Sequence, residues 1–175
     1  MAFLATHLGL RAVPIDGLTP NYAPAYLGFH FVYAYCILAS RNLKQIYGID
    51  HQASPREDLV KYGDAAVKSG KITQRQLNML KRNEGAHANS VENYTLFVGA
   101  MGFATFAGVK AEYVNRAGLI YTAARVAYAV SYILIEKNLW AVSRGVFWWI
   151  GNGSCLWLLW EAGKILTKGD LNQLS

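Results

Sequence analysis

Hydrophobic and polar positions are sorted into long blocks along this chain. Four stretches, approximately residues 22–40, 86–108, 117–136 and 144–166, are apolar and long enough to cross a membrane. A hydrocarbon core of about 30 Å takes about 20 helical residues at 1.5 Å each. The first stretch, Y-A-P-A-Y-L-G-F-H-F-V-Y-A-Y-C-I-L-A-S, has no charge, and its His30 is expected to face a neighbouring helix. Polar residues collect in one loop, 41–82. Within it Ser54-Pro55-Arg56-Glu57 has the spacing of a capping box with proline at the first helical position, and Gly70 is a stop, which predicts a helix at about 55–69. Thr73-Gln74-Arg75-Gln76 predicts a second helix that runs on into the second span. Residues 1–21 read as a leader without a cleavable signal and 168–175 as a tail. The pattern as a whole predicts an all-α fold, an integral membrane four-helix bundle.

Composition agrees with that pattern. Of 175 residues 53% are hydrophobic and 16% charged, against about 25% charged in soluble domains. Mean hydropathy is only +0.14, because the charges are concentrated in the long loop. That loop holds nine of the seventeen basic residues, whereas the second loop has Lys110 and Arg116. The positive-inside bias therefore puts the long loop in the cytosol and both termini on the lumenal side, so that spans two, three and four share a cytosolic end. The net charge of +6 does not point to nucleic acid, since Asp50, Glu57, Asp58, Asp64 and Glu84 alternate with the basic residues. A solvated face near anionic membrane lipids accounts for it better.

Cys36 and Cys155 lie in apolar spans without paired spacing, and His7, His30, His51 and His87 are scattered, so neither a structural disulfide nor a metal site is expected. There is no glycine-rich phosphate loop, nucleophile elbow or inverted repeat. At about 100° per residue, Arg82, Asn89, Glu92 and Asn93 share one side of the second helix, with His87 about 140° away. On the third span Tyr121, Arg125, Tyr128 and Tyr132 fall within about 60° of one another. A carboxylate such as Glu92 is costly in lipid and is expected to face a protein interior or a wet cavity. Two readings stand side by side. A Glu92–Arg125 pair and tyrosine hydrogen bonds can tie helices together, with Arg82 and Arg144 as snorkelling anchors. Alternatively, the same groups line one polar cleft near the cytosol. In span four Asn152 and Glu161 lie on opposite sides, Glu161 near the lumenal interface.

The stretches A-H-A-N-S-V-E-N-Y-T-L-F at 86–97 and A-R-V-A-Y-A-V-S-Y at 124–132 resemble the membrane-associated proteins in eicosanoid and glutathione metabolism, the MAPEG family. The resemblance covers roughly residues 22–165, and the inserted loop is similar to that of members from filamentous fungi. It implies a homotrimer of four-helix protomers in the endoplasmic reticulum. Glutathione would sit at the cytosolic end of a cleft between protomers, and a lipophilic small-molecule substrate would approach from the bilayer. Microsomal glutathione transferases, leukotriene-C synthases and prostaglandin-E synthases belong to this family. By position, Asn89, Glu92, Arg125, Tyr128 and Tyr132 match its glutathione-contacting residues, and Arg41 matches a further arginine past span one.

The chain departs from the family in two places. Many members have an arginine immediately before the A-H-A-N tetrad, where it contacts a glutathione carboxylate; here the residue is Gly85, and Arg82 one turn back is the candidate to bind that anion instead. The activating arginine of the family would land on Leu139, and Ser143-Arg144-Gly145-Val146-Phe147-Trp148-Trp149 matches its surroundings after an insertion of about five residues, which makes Arg144 the equivalent. The implied catalytic set is Arg144, Tyr128, Tyr132 and Glu92. Arg144 would lower the thiol pKa from about 8.5, while the tyrosines position the tripeptide or donate to the electrophile. Asn89 and Glu92 would take its amino and amide groups. The implied activity is a glutathione-dependent transferase or peroxidase. The alternatives are a glutathione-independent, acid-catalysed isomerase or cyclase, with a tyrosine or Glu92 as proton donor, and a non-catalytic membrane scaffold.

Overall fold

The structure is a computed structural model that describes Ala5 and residues 19–173. The leader expected at 1–21 falls mostly outside the described residues, as do the last two residues of the tail. Helix α1 (Ala23–Val32) carries Pro24 in its first turn, where a missing amide hydrogen costs nothing. It continues through a π-helical turn, Tyr33–Ile37. An extended Ala39 breaks the axis before α2 (Ser40–Ile46). Two short helices, α3 (Asp58–Lys61) and α4 (Gly63–Lys68), precede the long α5 (Gln74–Phe106) and α6 (Ala111–Leu134). A one-turn α7 (Asn138–Ala141) leads into α8 (Ser143–Gln173). Among the described residues every regular element is helical.

Two segments, Ala23–Ile46 and Ala111–Leu134, are long and apolar enough to cross a membrane; the first runs six residues beyond the expected first span and the second begins six residues before the expected third. Helices α5 and α8, with 33 and 31 residues, cover most of the expected second stretch and all of the fourth, but neither is among the segments apolar enough to cross. Helices α5, α6 and α8 pack against one another, and α1 lies against α5 and α6. Their shared core includes Phe97, Met101, Val114, Tyr121 and Leu158. The Phe97 and Tyr121 rings stack at 4.0 Å, and His30 meets both edge-on at 4.9 Å. His30 Nε2 lies 3.0 Å from Thr122 Oγ1, so this histidine does face a neighbouring helix. Phe31, Phe103, Phe106, Trp149 and Trp160 are exposed. Large exposed apolar surface of this kind suits contact with lipid or another subunit.

The insertion between the first two spans is built differently from its sequence pattern. The helix expected at about 55–69 is split into α3 and α4 at Tyr62. The Glu57 amide donates to the Ser54 carbonyl, and no Ser54 side-chain cap forms, so the first capping box is absent. The second is present: the Thr73 hydroxyl accepts from the Gln76 amide and the Gln76 side chain accepts from the Thr73 amide. Gly70 follows α4 with φ +73°, a conformation that favours glycine and supplies the expected stop. Lys44 fastens the insertion to α5. Its side chain is buried, and its ammonium donates to the Pro55 carbonyl, lies 3.1 Å from Glu84 Oε1 and lies 3.5 Å from Asp58 Oδ2. Beneath it Ile49, Leu59, Ile72, Leu77 and Leu80 form a small core. A Cβ at Gly63 would come within 2.7 Å of Leu77 Cδ1, so a larger residue there would have to displace the Leu77 side chain.

Removing one member of a buried ion pair strands the other and costs about 3–5 kcal/mol. Lys44→Ala is therefore expected to release the insertion while the long helices hold. Limited proteolysis with mass-spectrometric mapping checks this, with the first cuts expected within residues 49–72.

Candidate functional site

Arg125, in the middle of α6, is 1% exposed. Its Nη2 donates to Asn89 Oδ1 at 2.9 Å and approaches Ser90 Oγ at 3.4 Å, both on α5. The guanidinium also lies over the Tyr128 ring, 4.5 Å from its centroid. Asn89 is steadied by Asn93, whose Nδ2 donates to the Asn89 carbonyl at 3.0 Å, and the Tyr121 hydroxyl donates to the Asn93 carbonyl at 3.2 Å. Toward the C-terminal end of α6, the Tyr128 and Tyr132 rings are 5.5 Å apart. Arg144, from the first turn of α8, lies over Tyr132 at 4.5 Å.

Arg125, Tyr128, Tyr132 and Arg144 thus form a continuous ladder with a cation at each end. Each cation–π contact contributes about 0.5–2 kcal/mol, more as it is desolvated. Both end members retain a buried donor without a partner among the described residues, Nη1 of Arg125 and Nε of Arg144. Buried donors of this kind are normally satisfied. A thiolate or another electron-rich group would fit them, and the tyrosine hydroxyls between them can donate to developing negative charge.

The remaining residues picked out in the sequence are placed elsewhere. Glu92 is exposed and has no hydrogen bond or ion pair with a described residue; Arg125 is held by Asn89 and Ser90 instead. The carboxylate sits at the edge of the α5 polar stripe, about 60° from Asn89, and opens to a different groove. That groove, of about 410 Å³, is lined by Ser40, Arg56, Glu84, His87 and Glu92. His87 Nδ1 donates to the Ala34 carbonyl at 3.0 Å, which ties α5 to the π-turn. Arg41 is outside the ladder, paired with Asp50 at 2.6 and 2.9 Å, and it holds that carboxyl below the ordinary range.

Arg82 closes the end of α6. Its Nε donates to the Ile133 carbonyl at 2.9 Å, and its Nη2 donates to Glu136 Oε1 at 3.2 Å, where Arg75 Nε also lies 3.2 Å away. The Arg75 hydrogen bond, followed by the Arg82 one, holds the Glu136 carboxyl below its usual range. Gly85 faces Tyr132: a Cβ there would lie 3.0 Å from the tyrosine hydroxyl and 3.1 Å from Cε1. The tyrosine occupies the space a side chain at 85 would need. Glu136 and the π-turn carbonyl were missed at the level of sequence. The only signal for the second groove was the wheel angle of His87, which pointed away from the main stripe.

The MAPEG family model matches residues 19–164 of the chain. No curated protein and no solved structure matches it.

Two outcomes follow from this geometry. Gly85→Ala is expected to press on Tyr132 and so to gain less than the about 1 kcal/mol that a helix interior draws from this change, whereas the same change added to Tyr132→Ala should show that gain in full. Melting of the four proteins in detergent checks the coupling. The Glu136 carboxyl is depressed on folding, so its contribution is fully present above the unfolded value of about 4.3 and is lost as pH falls through the lower folded value. The melting temperature should drop on acidification in that window, and Glu136→Gln should remove that part of the drop.

Proposed function

The chain belongs to the MAPEG family, and on that basis we propose that it is a membrane-embedded, glutathione-dependent transferase or peroxidase acting on a lipophilic electrophile. The observation that carries this reading is the Arg125–Tyr128–Tyr132–Arg144 ladder with its two unpartnered buried donors. A free thiol titrates near pH 8.5, so only a few per cent is thiolate at neutral pH. A guanidinium stays charged under these conditions, and the Arg144 Nε–H beside sulfur would favour the thiolate in a partly desolvated site. In a transferase step the thiolate sulfur forms a bond to the electrophilic carbon while the leaving group departs with the bonding pair. A proton donated by Tyr128 or Tyr132 would neutralise it.

Assembly into a homotrimer is part of the proposal. One chain carries two separate polar surfaces, the ladder and the Glu92 groove, and an exposed carboxylate on a membrane-length helix needs a partner. A cyclic assembly brings different patches of neighbouring copies together, so the groove of one protomer would face the ladder of the next. In this arrangement α1, α5, α6 and α8 are the four membrane spans of an endoplasmic-reticulum protein. The insertion is cytosolic, both termini are lumenal, and substrate enters from the bilayer. A glutathione-independent, acid-catalysed isomerase or cyclase is the second reading. It is favoured by one observation: Tyr132 fills the space beside Gly85, and Arg82 is taken by Glu136.

The test is a glutathione titration of the purified protein in detergent, following thiolate absorbance and thermal stability. The wild type should show a saturable thiolate signal at millimolar thiol, and Arg144→Ala should lose the signal while still being stabilised. A wild type with neither signal nor stabilisation contradicts the proposal. Turnover of a lipid substrate that survives Arg144→Ala but not Tyr128→Phe moves the assignment to the acid-catalysed reading.

A further inference from the structure

The insertion presents an arginine to the second groove. Arg56 lines it together with Ser40, Glu84, His87 and Glu92. The backbone on either side of Arg56 is held in place, because the Pro55 carbonyl accepts from the buried Lys44 ammonium and Asp58 is fully buried beside the same lysine. The guanidinium itself is exposed and makes no hydrogen bond or ion pair with a described residue. The other arginines near this end are engaged: Arg41 with Asp50, Arg75 and Arg82 with Glu136, and Arg144 with Tyr132 and the Ile135 carbonyl.

Glu92, in the same groove, also lacks an ion pair, whereas Glu84 is engaged by Lys44. The groove therefore offers one unpaired cation and one unpaired anion. That combination complements a zwitterion, with the ligand carboxylate on the guanidinium and the ligand ammonium on the carboxylate. A guanidinium binds a carboxylate through two parallel N–H donors, which an ammonium cannot reproduce.

We infer that Arg56, carried by the cytosolic insertion, is the carboxylate-recognising residue of this groove and binds the α-amino-acid end of the peptide thiol opposite Glu92. This rests on the glutathione reading above. It also assigns anion recognition in a chain where position 85 is a glycine packed against Tyr132 and Arg82 is occupied.

The experiment measures binding of glutathione, and of an analogue lacking the γ-glutamyl α-carboxylate, to the full-length wild type and to Arg56→Ala, Arg56→Lys and Arg82→Ala. Melting curves first establish that each variant folds. The wild type is expected to bind the analogue about tenfold to a hundredfold more weakly than glutathione, the scale of one charged hydrogen bond. Arg56→Ala should bring glutathione down to the affinity of the analogue and leave the analogue unchanged, with Arg56→Lys in between. Equal losses for both ligands, no loss for either, or a carboxylate-specific loss in Arg82→Ala instead would overturn the assignment. In those cases the wild type still binds glutathione and only the role of Arg56 fails; a wild type that binds neither ligand overturns this inference and the glutathione reading together.

Discussion

A guanidinium buried among membrane-length helices cannot shed its charge, so the protein around Arg125 is arranged to solvate it. Asn89 and Ser90 supply oxygen from α5, and Tyr128 supplies its ring face from the same helix as the arginine. These partners set the register between α5 and α6. A slide of one turn would separate Arg125 from Asn89 and leave more donors buried without acceptors. Once that register is set, Tyr132 falls one turn beyond Tyr128, against Gly85 and beneath Arg144. The ladder is a consequence of how one internal charge is accommodated.

Local features of this fold were legible in the sequence where a local rule decides them. The capping box at Thr73 and the left-handed stop at Gly70 need only their immediate neighbours, and both are present. The clustering of Tyr121, Arg125, Tyr128 and Tyr132 on one helical face likewise follows from the period of the helix. What escaped notice depends on partners distant in sequence. Ser54-Pro55-Arg56-Glu57 has capping spacing, yet the Pro55 carbonyl is drawn to Lys44 and the box does not close. The wheel put Glu92 at the edge of a stripe but could not say which helix it would meet. Arg82 sits where an anion binder was expected, and a single glutamate after α6 engages it.

The insertion gives α5 a second working surface. Lys44, Asp58 and Glu84 lock it down at the point where His87 closes the π-turn, so groove and ladder lie on different sides of one continuous helix. In the proposed trimer a neighbouring copy joins them, because a straight helix cannot turn Glu92 inward without turning Asn89 away from Arg125.

The most direct test of this division is subunit complementation. Arg144→Ala and Glu92→Gln protomers, each inactive alone toward a chlorodinitrobenzene and glutathione, are co-expressed and purified as mixed assemblies. If each site is shared between neighbours, every mixed trimer regains one intact site of its three, and activity should return to about a third of the wild-type level. Mixed assemblies as inactive as either parent would place the whole site within one chain and contradict the account.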